Sequence, residues 1–217
     1  MKGLLTKDLQ LMAGQKKTLI MIVIIGVIMS LSFESTAVIA YLTVFAGVMA
    51  LGTLSYDEFD NGYAFLFTLP FSRKTYVLEK YVFVAIWALA FMAIGSVVSV
   101  ILSAVRGLPA VPTDIFMTAV MVLAMALLIA AVMIPLRLKY GAEKSRIVLF
   151  IIYGLFAVAL LGFSRRLPAL KTLGQSIGSS LSSAGPVLTA AVPLVLAAAV
   201  YAVSILISIR ILEKKEF

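Results

Sequence analysis

Six apolar runs constrain this chain more than any other feature. They cover Thr18–Phe33, Thr36–Leu54, Tyr81–Val105, Ile115–Leu136, Ile147–Phe163 and Val187–Leu212. Each is roughly 16 to 26 residues long, and about 20 helical residues cross the hydrocarbon core of a bilayer. Lipid offers no partner to a bare backbone N–H or C=O, so the runs are expected to be helices. The composition agrees, with 63% hydrophobic and 13% charged residues, against about 45–50% and about 25% in a soluble domain. A mean hydropathy of +1.13 excludes a soluble fold. The expectation is an all-α integral membrane bundle of six transmembrane helices, one domain over residues 1–217.

Several chemistries drop out by composition. The 217 residues include no cysteine and no histidine. That removes disulfides, thiolate nucleophiles, Cys/His zinc sites and histidine acid–base catalysis. The chain has no phosphate loop, no dinucleotide fingerprint and no G-x-S-x-G elbow. Asp, Glu, Lys and Arg occur in the runs only near their ends. Ion-coupled carriers and intramembrane enzymes need ionisable groups within the membrane, so both are disfavoured, although backbone carbonyls alone can bind sodium. No charged ring or repeated polar face suggests a half-channel. The net charge of +8 is assigned to membrane flanks rather than to nucleic-acid binding.

The basic residues set the orientation. With six spans, both ends and the loops after spans two and four share one side. That side holds fourteen of the eighteen Lys and Arg residues, and the other holds Arg106, Arg165, Arg166 and Lys171. The positive-inside rule then places both termini in the cytoplasm.

Between the spans, Met1–Gln15 carries Leu5, Leu9 and Met12 at i, i+4 and i+7, with Lys2, Thr6 and Gln10 opposite. This predicts an amphipathic interfacial helix over residues 1–15, favoured over a disordered tail. Lys16 and Lys17 before an apolar run resemble a signal peptide, but no small-x-small site follows, and a retained span is expected. Glu34 and Ser35 make a very short turn. Arg106–Asp114 reads as a loop, with Gly107, Pro109 and Pro112, and Arg137–Arg146 as a short basic loop. Ser164–Pro186 falls outside. Leu167, Leu170, Leu173, Ile177 and Leu181 recur there at helical spacing, favouring short re-entrant helices over residues 164–186 against a flexible Gly/Ser linker.

The segment over residues 56–80 is the least lipid-like part of the chain. It holds Asp57, Glu58, Asp60 and Asn61, a break at Gly62, the apolar turn Tyr63–Leu69, a stop at Pro70, and then Arg73 and Lys74. A helix over Tyr63–Leu69 is too short to stand alone. It would present Tyr63, Phe65, Leu66, Phe67 and Leu69 partly to water. Such a cluster either receives a partner or lies in the lipid interface, and the residues by themselves leave both open.

The run Tyr56-Asp57-Glu58-x-x-Asn61-Gly62, then Phe67-Thr68-Leu69-Pro70-Phe71-Ser72-Arg73-Lys74-x-Tyr76-Val77, then Glu79-Lys80-Tyr81 resembles the ABC-2 type transporter permeases. There a segment of the form E…G…LxxLPxSRxxYVxxKY makes the coupling helix after the second span. The Met1–Leu9 opening and the six-span layout extend the resemblance along essentially the whole chain. The chain is similar to the small six-span bacterial permeases, including those of the phenol-soluble modulin peptide exporter. Where family members often carry Glu, this chain has Thr75, so the capping box begun by Ser72 is incomplete.

The resemblance implies an exporter subunit in a bacterial plasma membrane. Two permease subunits, identical or homologous, would flank a route, and two ATP-binding subunits would bind below. ATP and Mg would reside in that partner, leaving this chain no cofactor or catalytic residue. The coupling helix maps onto roughly Gly62–Leu69. Asp57, Glu58, Asp60, Arg73 and Lys74 would be salt-bridge partners at the contact, or else solvated loop charges. Similarity to peptide exporters makes an amphipathic, cationic or antimicrobial-type peptide the first expected cargo, with drugs and lipids as competitors. A non-transporting scaffold or immunity factor is the rival class, and it would not need a coupling helix.

Two small-residue faces complete the reading. Gly95, Ser99 and Ser103 follow Trp87 and Phe91 at four-residue steps, and Ser204 and Ser208 repeat the spacing on the last span. Such faces permit close helix packing or line a route. Tyr41, Phe45, Met49, Met121 and Met125 are adaptable apolar surface, by default core or lipid contact.

Overall fold

In the computed structural model, which describes residues 1–59, 62–166 and 185–215, the protein is helical throughout, with no strand among the described residues. The helices are α1 (Lys2–Gly14), α2 (Lys16–Ser32), α3 (Ala37–Glu58), α4 (Gly62–Leu66), α5 (Arg73–Val105), α6 (Pro112–Arg166) and α7 (Pro186–Glu213). Four are long and apolar enough to cross a membrane: Ala37–Glu58, Arg73–Val105, Pro112–Ile151 within α6, and Val187–Glu213. A fifth crossing requires α1 and α2, bent 66° from one another, to act together. The described residues therefore carry four to five candidate spans where six were expected. Of residues 164–186, expected as re-entrant helices, residues 164–166 continue α6 and Pro186 begins α7, and residues 167–184 lie outside the described residues.

The first apolar run forms α2, and the second forms α3 after the Glu34–Ser35 turn. The third run is longer than the sequence suggested. Ser72 is the N-cap of α5, and its hydroxyl accepts from the Thr75 amide at 3.2 Å. The helix thus begins eight residues before the run does, and its 33 residues extend about 50 Å at 1.5 Å each. Thr75 also pairs its hydroxyl with Ser72 at 2.9 Å, so Ser72 caps the helix without a Glu.

The fourth and fifth runs form the two helical stretches of α6, joined by a kink at Gly141. The Arg137–Arg146 stretch, expected as a loop, is helical on both sides of one non-helical residue, Gly141 (φ 81°, ψ 174°). Pro135 sits inside the same helix and cannot donate to the carbonyl of Ala131 four residues back. Ser204 of α7 donates to that carbonyl instead, at 2.5 Å. A polar residue of the last span thus repairs a backbone defect that lipid would penalise.

α3 packs against α2, α5 and α6, and α7 packs mainly on α6. Gly95 lets α5 approach α3 closely: a Cβ there would lie 3.0 Å from the Ile39 Cα. Two large apolar clusters result. One surrounds Ile39, Leu42 and Phe91. The other gathers Met12, Leu54, Tyr63, Tyr76, Ile134, Leu138 and Leu212 at the end of the bundle where α3 finishes and α5 begins. Much of the outer surface is apolar, including Val97, Val195, Leu196 and Leu206, as lipid contact requires.

Candidate functional site

Six helices meet at that second end. α1 lies there, α3 ends, α4 and α5 begin, α6 breaks at Gly141, and α7 ends. α4 is one turn, extended by Phe67 N–H donating to Tyr63 O at 3.0 Å and Leu69 N–H to Leu66 O at 3.2 Å. So short a helix has two sides. Tyr63 and Leu66 are buried in the cluster, Phe67 is half-buried, and Phe65 is 71% and Leu69 41% exposed. The sequence suggested that all five are partly presented to water, for a partner or the lipid interface to cover. The chain itself covers Tyr63 and Leu66 and leaves Phe65 and Leu69 outward, followed in sequence by exposed Pro70.

The inner side is an aromatic platform. The Tyr76 ring meets Tyr63 and Phe67 edge-on, at centroid distances of 6.0 and 5.8 Å. Arg73 places its guanidinium 5.5 Å over the Phe67 ring, and the Lys215 ammonium lies 5.4 Å over Tyr63. These cation–ring contacts attach the segment to both α5 and the end of α7.

Beneath the platform lies a buried ionic cluster that the sequence reading missed. The Lys80 ammonium, 1% exposed, is 2.5 Å from Asp8 Oδ2 and 2.7 Å from Asp57 Oδ2. It also donates to Thr53 Oγ1 at 3.2 Å. All three of its donors have acceptors, the condition for burying such a charge. The Tyr76 hydroxyl donates to Asp57 Oδ2 at 2.8 Å. Lys7 pairs with Asp57 Oδ1 and lies 3.4 Å from Asp8 Oδ1. Burial lowers the Lys7 pKa, but Asp57 and Asp8 outweigh it and hold the ammonium above its ordinary value. Glu79, fully buried, completes the cluster 4.0 Å from Lys80. The buried face of α1 is therefore Leu4, Asp8 and Met12, while Leu9 of the expected stripe is half exposed. The available signal was an acid four residues from Leu4 and from Met12, on one helix face.

The other charged residues of the segment are also engaged within the chain. Arg73 Nη1 donates to the carbonyls of Leu212, Glu213 and Lys215 at 2.7, 3.1 and 2.7 Å, capping the end of α7. Lys74 lies 3.6 Å from Glu213 at the surface. Glu58 Oε2 accepts from the Ala142 amide at 2.7 Å. It thereby caps the part of α6 that restarts after Gly141, where carboxylate and helix dipole attract. Asp60 and Asn61 lie outside the described residues. A cleft of about 400 Å³ opens beside this cap, lined by Ser55, Glu58, Phe59, Tyr140 and Lys144 among others.

The small-residue faces join helices of this chain. Ser99 and Ser103 are buried, and Ser103 shares a 2.8 Å hydrogen bond with Ser35. Ser204 and Ser208 both bond the Tyr81 hydroxyl, at 2.6 and 2.8 Å, joining α7 to α5. At the opposite end of the bundle, a cleft of about 510 Å³ is lined by Glu34 and Asp114, the hydroxyls of Ser35, Thr36, Ser103 and Thr118, and the apolar Leu108, Ile115 and Met117.

A protein-family model described as "ABC-2 family transporter protein" matches residues 3–213. No curated protein and no solved structure was found to match the chain.

Proposed function

The chain belongs to the ABC-2 transporter family, and from that premise we propose that it is the permease subunit of an ATP-driven exporter of amphipathic or cationic peptides. Permeases of this family normally partner with an ATP-binding subunit. Here that subunit docks on the outward side of the α4 segment, at Phe65, Leu69 and Pro70. One observation carries the reading. The short helix exposes Phe65 while its inner side, Tyr63 and Leu66, is packed into the bundle. An exposed apolar cluster held by a rigid support is the usual form of a docking site.

Transmission follows from the contacts behind that site. A displacement of α4 acts on Tyr76 and hence on α5, on α1 and α3 through Asp57, Lys80 and Asp8, and on α7 through Arg73. Asp57 and Arg73 serve as links behind the surface, whereas Lys74 and Glu58 remain near it. ATP and Mg belong to the partner. Two permeases and two ATP-binding subunits form the working assembly. The α4 end faces the cytoplasm, together with most of the basic residues, in a bacterial plasma membrane. The opposite cleft, with Glu34 and Asp114 among hydroxyl and apolar residues, suits a cationic amphipath on its way out.

The test is capture of the ATP-binding subunit by detergent-solubilised protein. Wild type retains it and raises its ATPase activity, and a Phe65→Asp/Leu69→Asp variant with an unchanged melt loses both. Equal capture by both proteins, or by neither, would favour a non-transporting scaffold. Stimulation of the assembled complex by cationic peptides, set against drugs and lipids, identifies the cargo.

A further inference from the structure

A second site lies at the same end of the bundle, on α6 and α7, and meets α4 only through Lys215. Lys139 of α6 and Ile207, Arg210, Ile211, Lys214 and Lys215 of α7 and its tail enclose a groove of about 590 Å³. Four of the six are cationic and none is acidic. Val203, Ile207, Arg210 and Lys214 follow at i, i+4, i+7 and i+11, one face of α7. That face is exposed from top to bottom, Val203 at 56% and Ile207 at 47%, and it changes from apolar to cationic as the helix leaves the span. Among the described residues no carboxylate pairs with Lys139, Arg210 or Lys214. Lys139 lies 5.1 Å over the Tyr140 ring, and Lys215 donates to Leu138 O at 3.1 Å, which holds the rim in place.

We propose that this groove is a binding site for an anionic phospholipid, with acyl chains along Val203 and Ile207 and the phosphate among Lys139, Arg210 and Lys214. Three chemical features select that occupant. Cations converging where two membrane helices end attract anionic headgroups. A helix C-terminus carries a partial negative charge, which Lys139, Arg210 and Lys214 together outweigh, so the rim stays net positive toward the ligand. The apolar half of the stripe is contiguous with the cationic half, so one amphipathic molecule covers both, whereas a free anion would leave Val203 and Ile207 bare.

The experiment is native mass spectrometry of the purified full chain, titrated with phosphatidylglycerol or with phosphatidylcholine. Two variants are compared: Lys139→Ala/Arg210→Ala/Lys214→Ala, and Lys2→Ala/Lys16→Ala/Lys17→Ala, which removes equal charge from exposed positions elsewhere. Phosphatidylglycerol is expected to bind wild type more tightly than phosphatidylcholine. The groove variant should lose on the order of 100-fold in that affinity, as three basic residues at a membrane surface would give, and the second variant little. The same melt for all three proteins in phosphatidylcholine establishes that the groove variant is folded. Equal binding of both lipids to wild type overturns the site, as does an equal loss in both variants. Inorganic phosphate that displaces the lipid one-for-one would make it a small-anion site. Unchanged lipid binding with lost capture of the ATP-binding subunit would give the groove to that partner.

Discussion

The Lys80 ammonium of α5 and the Asp8 carboxylate of α1 meet at 2.5 Å, 72 positions apart in sequence, with neither side chain more than 1% exposed. An ammonium removed from water this completely leaves a large penalty when its partner is lost. Breaking one side of a buried pair typically costs about 3–5 kcal/mol. Asp8→Asn and Lys80→Met are each expected to destabilise the protein by that order, read as a lower melting temperature in detergent. The double variant should be more stable than the sum of the two losses, since the pair is coupled. Additive losses would mean that the two residues act independently.

Lys7 gives a pH dependence of known sign. Its folded pKa is raised, so the stability it contributes is fully present below the unfolded value of about 10.4. That stability is lost as pH rises through the folded value. The difference in melting temperature between wild type and Lys7→Met should therefore stay constant from pH 7 to 9 and shrink above about pH 10.5. A difference that disappears already by pH 8 would contradict the pairing with Asp57.

Gly141 is the break in α6 and cannot be replaced cheaply. Its φ of 81° with ψ of 174° is a region kept by glycine, costing other residues about 1–3 kcal/mol. A Cβ there would also collide with the Glu58 carboxylate, which would have to move off the Ala142 amide. Gly141→Ala should lower the melting temperature and loosen the Ala142 cap, seen as faster amide exchange at the restart of the helix. Gly154→Ala, with nothing within 4 Å and no positive φ, is the control and should be neutral or slightly stabilising.

Ser204 and Pro135 are expected to be linked. Ser204→Ala leaves the Ala131 carbonyl without its donor, a loss of about 0.6 to 1.7 kcal/mol in membrane proteins. Pro135→Ala supplies a backbone N–H to that same carbonyl. In the Pro135→Ala background, Ser204→Ala should therefore cost measurably less. An unchanged cost would show that Ser204 acts mainly through Tyr81.

The contrast between these sites explains what could be read beforehand. The apolar runs marked α2, α3 and α7 to within a few residues, because a bilayer imposes length and apolarity on each. The break in α6 was located but widened into a ten-residue loop, since Arg137, Lys139, Lys144 and Arg146 look like solvated charge. Arg137 is instead buried, donating to Leu51 O at 2.5 Å, and a backbone angle at one glycine does the turning. The segment over residues 56–80 stood out locally, but its division into an inner and an outer side depends on what α5 and α7 place beneath it. Asp8, Asp57 and Lys80 form a site only through folding. Their spacing has no period, and an acid on the Leu4–Met12 face looks like an interruption rather than an anchor.

Docking and transmission can be separated at Arg73. Phe65 faces outward, whereas Arg73 reaches inward to three carbonyls at the end of α7. If α4 receives the ATP-binding subunit and α7 carries its movement, the two residues should fail differently. Arg73→Ala should retain capture of the partner while cargo-stimulated ATPase activity falls several-fold. Amide exchange over residues 210–215 should rise in the same protein, because the last carbonyls of α7 lose their cap. Arg73→Lys should recover part of the loss, since one nitrogen, Nη1, makes all three carbonyl contacts and an ammonium also carries three donors. Loss of capture in Arg73→Ala would place Arg73 in the docking surface itself. Unchanged activity with frayed α7 would remove that helix from the transmission route and leave the Asp57–Lys80–Asp8 cluster as the path from α4 into the bundle.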